Sequence, residues 1–188
     1  AAQKYHCIDE VLIIASFLSA QDPRIRPADK SQKADQLHRE FRDDKSDFIE
    51  ILNLWDFINF KKAELSNSQF KSMCQKRFLS SLKIRQWQAI YQQLGWVVKN
   101  LKIDYKDKKI KHNKNIDNKK IYTKNILEGA EYEKLHKALM SGLVTHVARI
   151  NDKNNDKKSD KNKNQIKSYL STRSRQGFIF PGSGLMSL

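Results

Sequence analysis

Long apolar runs are missing from this chain. None approaches the roughly 20 residues that a membrane-spanning helix requires, and Asp9 and Glu10 interrupt the apolar stretch near the N-terminus, which excludes a secretory signal. Cysteine is scarce as well. Cys7 and Cys74 form no CxxC pair, and no histidine stands at zinc-site spacing from them. A disulfide framework and a zinc module are therefore excluded, and reduced thiols in a cytoplasmic protein are expected. His6, His38, His112, His136 and His146 include no HExxH and have no carboxylate at ligand spacing, so neither metal binding nor acid–base catalysis has a basis. Asp9 and Glu10 are accounted for as acids in the first turn of a helix. Ser183, in Pro-Gly-Ser-Gly, lacks the nucleophile-elbow pattern and reads as a turn.

What is present is enough for a core. Of 188 residues 39% are apolar, with nine Phe, six Tyr and three Trp, while 30% are charged and the mean hydropathy is −0.73. One ordinary domain, or one domain and part of a second, fits that length. The formal charge of +15 invites a polyanionic partner, but more than half of it lies in two Lys/Asn-rich stretches: a net of +5 in residues 102–120 and +3 in 151–167. Segments so poor in apolar residues cannot offset their ordering entropy, so both are expected to be flexible loops.

Helical periodicity dominates the remainder. Val11 to Leu18 is apolar on nearly every face, so a helix at about 8–20 should be buried all round, and Pro23 and Pro27 forbid its continuation. Residues 29–42 form a charged helix with a thin stripe of Ala34, Leu37 and Phe41. A third helix begins near Asp47, whose carboxylate can cap it with Glu50 three residues on; its face is Phe48, Ile51, Leu52, Trp55 and Ile58. Ser66 and Gln69 make an S-x-x-Q box opening a helix through Phe70, Met73 and Cys74 to Phe78. The cleanest period follows, Ile84, Trp87, Tyr91, Leu94, Val98 and Leu101, and predicts a face packed along its whole length. A helix over about 129–148 turns Tyr132, Leu135, Leu139, Leu143 and Val147 inward, and Gly142 within it suggests a close helix contact. From 168 the pattern changes to strand-like runs, Ser168–Thr172 and Gly177–Phe180, joined by Arg173–Gln176 as a hairpin. Two strands alone are marginal in water, so a β-domain should begin here.

Four blocks, in order, carry a resemblance. The first is Cys7 to Pro27 with Asp29-Lys30 and the Ala34-Asp35…His38…Phe41 spacing. The second is Ser46-Asp47-Phe48, Leu52-Asn53-Leu54-Trp55, Cys74-Gln75-Lys76-Arg77-Phe78-Leu79 and Leu82-Lys83-Ile84-Arg85-Gln86-Trp87. The third is Tyr132…His136-Lys137-Ala138-Leu139…Gly142-Leu143, and the last is Phe178-Ile179-Phe180-Pro181-Gly182-Ser183-Gly184-Leu185. Together they resemble the helicase-associated region of DEAH-box RNA helicases, closest to the bacterial HrpA type. Ser80 departs from the family's usual Asn and Leu82 from the Arg of many eukaryotic members, and the two Lys/Asn-rich stretches look like insertions.

The resemblance implies a mainly α fold, a ratchet-like helix bundle followed by a β-hairpin that begins an incomplete OB-fold. The bundle would span 1–148 with its Lys/Asn-rich loop at 102–125, a basic linker 149–167, and the first OB strands 168–188. It also implies packing against two RecA-like motor domains and enclosure of single-stranded RNA. Neither GxxxxGK[ST] nor a DEAH tetrapeptide occurs here, so ATP and Mg would belong to the parent's motor domains and this segment, inactive by itself, would hold no cofactor.

A single-strand channel needs cations for phosphates and surfaces on which bases stack. Lys76, Arg77, Lys83 and Arg85 cluster at a junction of two helices beside Trp87, and helix N-termini there offer amides to phosphate. Arg173 and Arg175 sit at the hairpin tip, a place where OB-folds often bind oligonucleotides. Exposed Lys and Arg are also the norm on any solvated helix, with Trp87 then in the core. Arg24 and Arg26, in a proline-bounded loop, are better read as structural, bonding helix carbonyls. The sequence thus supports an auxiliary segment of an RNA helicase that guides RNA; a stand-alone helical interaction module and an ATP-independent RNA-binding domain are the alternatives.

Overall fold

The sequence folds into six helices and a small antiparallel sheet in a computed structural model that describes residues 1–101, 103, 127, 129–151, 168–172, 174–180 and 182–187. In chain order these are α1 (Ile8–Leu18), α2 (Ser31–His38), α3 (Asp47–Glu64), α4 (Asn67–Lys76), α5 (Ser81–Asn100), α6 (Gly129–Gly142), β1 (Ala148–Ile150), β2 (Ser168–Ser171) and β3 (Gln176–Phe178). Most of both Lys/Asn-rich stretches lies outside the described residues.

The bundle is organised around α1 and α3. Leu12, Ile13, Ile14 and Ser16 of α1 are buried, but Leu18 is exposed, so α1 is not enclosed on every face. It packs on α3, α5 and α6. The more fully enclosed helix is α3, buried without a break from Ile49 to Trp55 and again at Phe57 and Ile58. Two polar residues on that stretch hid this from the sequence. Asn53 donates its Nδ2–H to the Phe41 carbonyl at 2.9 Å, and Glu50 pairs with Arg24. Each buried polar group has a partner that lies outside its own helix, which a helical pattern cannot show.

Where the two Trp-bearing helices meet α1, four aromatic rings interlock. Trp87 lies edge-on to Phe17 and to Trp55, with centroids 5.0 and 4.8 Å apart, and Trp55 tilts against Tyr91 at 4.8 Å. The indole N–H of Trp87 donates to the Ser16 Oγ at 3.0 Å and the Ile13 carbonyl at 3.2 Å, and Tyr91 donates its hydroxyl to Asp9 at 2.7 Å. Past Tyr91 the predicted face of α5 loses its cover among the described residues: Leu94 and Val98 are half-buried and Leu101 is 66% exposed.

Helix boundaries follow their capping chemistry. Ser66 and Gln69 close the capping box at the start of α4 as predicted. Ser80, not an asparagine, caps α5 by accepting the Lys83 N–H at 3.3 Å. α4 ends in a Schellman arrangement, with Leu79 N–H on the Cys74 carbonyl and Phe78 N–H on that of Gln75, and Phe78 takes the left-handed φ of +53° usually left to glycine. The turn then pairs with the proline-bounded loop, Ile25 N–H to the Phe78 carbonyl and Ser80 N–H to that of Pro23, both 2.8 Å.

The predicted helix over 129–148 stops at Gly142, so Leu143 is only half-buried and Val147 is exposed. Gly142 serves as a terminus and not as a close contact, since a Cβ there would meet nothing within 4 Å. Ala148–Ile150, predicted as the end of that helix and the start of a linker, is a strand. It pairs with β2 in the register Arg149 to Leu170, and β2 pairs with β3 as Tyr169 to Gly177, giving the order β1-β2-β3. A residue triplet is too short to display a period of two, which is why β1 was not legible.

Asp47 does not cap α3; Ser46 holds the cap position and Asp47 is the first helical residue. Its carboxylate instead accepts the Ser183 hydroxyl at 2.8 and 3.0 Å and the Gly184 N–H at 3.2 Å, while Arg42 donates to the Ser183 carbonyl at 2.6 Å. Ser183-Gly184 is therefore a latch tying the end of the described chain to the bundle. A Cβ at Gly184 would stand 2.1 Å from the Asp43 carbonyl oxygen, closer than any real contact. Gly184→Ala is expected to open this latch alone: hydrogen exchange should speed up at the Gly182–Met186 amides and stay slow at the core amides of α1 and α3.

Candidate nucleic-acid interface

The junction that carries the predicted cations is built by the Schellman turn of α4 and the Ser80 cap of α5, which bring Lys76, Arg77, Lys83 and Arg85 onto the end of one helix and the start of the next. Their environments differ. Arg77 is engaged: its guanidinium lies 4.7 Å over the Phe57 ring and pairs with Glu40, and its backbone carbonyl receives the His38 Nε2–H at 3.0 Å. Lys83 folds back to donate to the Asp22 carbonyl at 3.2 Å. Lys76 and Arg85 are exposed, with no ion pair or hydrogen-bond partner among the described residues. Trp87 offers no stacking surface, since it is wholly buried. One of the first-turn amides of α5 is taken by Ser80, which leaves less for a phosphate than a bare helix start would.

Arg173 lies outside the described residues. Arg175 is exposed beside Ser174, whose φ of +56° makes the turn, and the Arg175 carbonyl accepts the Ser171 N–H at 2.9 Å.

Sequence reasoning assigned Arg24 and Arg26 a structural role, but their partners are carboxylates and not helix carbonyls. Arg24 grips Asp22 through Nε and Nη2 at 2.7–3.0 Å and reaches Glu50 on α3; Arg26 makes a two-point pair with Asp35 at 2.8 Å. Burial pushes the Glu50 carboxyl above its ordinary range, against the pull of Arg24. The Arg26 pair holds Asp35 below its ordinary range. At the other side of the bundle, His136 Nδ1–H donates to the Tyr132 carbonyl at 2.7 Å, so its Nε2 accepts the buried Ser46 hydroxyl at 2.7 Å. That pair ties α6 to the start of α3; Ser46 is 4% exposed and out of reach of any substrate. Among the described residues no group of His, Cys, Asp and Glu could hold a metal ion, and no helix is long and apolar enough to cross a membrane. Cys74 is buried, and desolvation pushes its thiol up to about 11.

Comparison with known proteins fits this architecture. Residues 1–51 match the family model described as helicase associated domain (HA2), ratchet-like. Over 98% of its length the chain is 38% identical to the ATP-dependent RNA helicase HrpA of Escherichia coli and 37% identical to the HrpA homolog of Haemophilus influenzae. In both it spans only 12% of the relative's own length. Over 40% of the chain it is 38% identical to the bovine ATP-dependent DNA/RNA helicase DHX36, covering 7% of that protein. The N-terminal part of the chain is thus similar to ratchet-like, helicase-associated domains. Along nearly its whole length the chain is similar to a segment of HrpA-type RNA helicases.

Two outcomes follow from the geometry. Arg77→Ala should lower unfolding stability by about 1–2 kcal/mol through loss of the Phe57 and Glu40 contacts, whereas Arg85→Ala should stay within about 0.5 kcal/mol, both read by urea denaturation. His38 sits in a half-buried site where desolvation holds its pKa below the ordinary 6.5. The unfolded chain therefore takes up this proton first on acidification. His38's contribution is complete above pH 6.5 and is lost as pH falls below it, so His38→Gln should flatten that part of the stability–pH curve.

Proposed function

We propose that this chain is a C-terminal auxiliary segment of an ATP-dependent RNA helicase, which guides single-stranded RNA and packs on the RecA-like motor domains of a cytoplasmic parent enzyme. The observation that carries the reading is the 37–38% identity to HrpA-type RNA helicases along nearly the whole chain. The exposed, unpaired Lys76 and Arg85 supply the phosphate contacts; Arg77 and Lys83 shape the junction that presents them. Arg175 adds charge beside the sheet, which in this reading is the first part of an OB-fold, and Arg173 is a further candidate contact. Nucleotide and Mg act in the motor, and this segment contributes a wall along which the strand moves.

Binding by phosphate contacts releases counterions, so affinity should fall with salt by a slope of about −0.7 per neutralised phosphate on a single strand. A salt titration of the purified chain with a short single-stranded RNA tests this. Lys76→Ala with Arg85→Ala should weaken binding and make the slope shallower by about 1.4. Absent or salt-insensitive binding would instead support a helical interaction module that acts on protein alone.

A further inference from the structure

Buried Trp87 leaves the junction without a surface for bases, yet the same helix exposes another indole. Trp96 is 68% exposed, unusual for a residue that is highly buried on average. It lies off the apolar face of α5, on the opposite stripe Arg85, Ala89, Gln92, Trp96 and Lys99, whose steps of four and three keep all five within about 40° of one line. All five are exposed. Arg85 and Trp96 are separated by about 16 Å of helix axis. Ala89, Gln92, Gln93, Trp96 and Val97 line a shallow concavity made by α5 alone.

Every charged residue on α5 is basic. No acid occurs between Glu64 and Asp104, a stretch that contains all of α5 with Lys83, Arg85 and Lys99. The amides of Gln92 and Gln93 can donate to and accept from base edges, an indole face stacks on any base, and the cations suit phosphates. A protein partner of ordinary composition would find no acid on α5 with which to pair its own Lys and Arg. Charge complementarity therefore favours a polyanion over a protein.

We infer that the outer stripe of α5 is a track for single-stranded nucleic acid, with Trp96 the platform on which a base stacks and Arg85 its phosphate-binding end. This inference rests on the reading of the chain as an RNA guide and adds a site to it. The strand would run along α5 and not stop at the α4–α5 junction.

The test uses the purified 188-residue chain, a fluorescein-labelled oligouridine and an abasic strand of equal length. Trp96→Ala should weaken oligouridine binding about tenfold, leave abasic-strand binding unchanged, and be rescued by Trp96→Phe. Oligouridine should also quench tryptophan emission in the native chain and not in Trp96→Ala, because Trp55 and Trp87 are buried. Since Trp96 is exposed, circular dichroism should show the fold unchanged. If Trp96→Ala binds as tightly as the native chain while Lys76→Ala with Arg85→Ala does not, the stacking site is wrong and the RNA guide stands. If no variant alters binding, or the native chain does not bind, both are wrong.

Discussion

A buried indole N–H that finds no acceptor costs about as much as a lost hydrogen bond, so Trp87 can occupy the centre of this bundle only where α1 supplies one. Ser16 and the Ile13 carbonyl do so together. That requirement sets the rotation of α1 about its axis and its height against α5. Once it is met, Phe17 and Trp55 close on the two sides of the ring, and Tyr91 reaches Asp9 one turn further along. The apolar surface supplies most of the burial energy, but it is non-directional. The hydrogen bonds decide which of many greasy packings is used.

Polar anchoring repeats at every joint of the fold. Glu50 and Arg24 fix the proline-bounded loop to α3, Asn53 fixes the segment that ends at Phe41, Ser46 and His136 fix α6, and Asp47 receives the Ser183–Gly184 latch. Three of these acceptors and donors lie within one turn at the start of α3. A buried charge paired with its neighbour adds little net stability over apolar packing, yet removal of one partner is costly. Such joints restrict the bundle to one arrangement.

The parts legible in the sequence were those with a strong period or a local signature: α3, α4 with its capping box, α5 and the core of α1. Periodicity correctly placed Ile84 and Trp87 inside, because the 3.6-residue repeat reports on burial directly. It failed where long-range partners decide. Glu50 and Asn53 look like solvent residues until Arg24 and the Phe41 carbonyl arrive from elsewhere in the chain. The same reason separates the four junction cations. Nothing local marks Arg77 and Lys83 as engaged and Lys76 and Arg85 as free, since Glu40, Phe57 and Asp22 come from other elements. Trp96 could have been found by its register alone, since it stands two residues from both Leu94 and Val98 and so on the side opposite the apolar face.

Strands β1 and β2 are neighbours, and the ladder between them is extended by the Asn151 N–H bonding the Ser168 carbonyl at 2.9 Å. The whole of residues 152–167 thus departs from and returns to points one hydrogen bond apart. Joining two ends held so close grows dearer only by about 0.6 kcal/mol for each doubling of the length between them. A change in the length or charge of the sequence between Asn151 and Ser168 can therefore leave the β1–β2 register untouched.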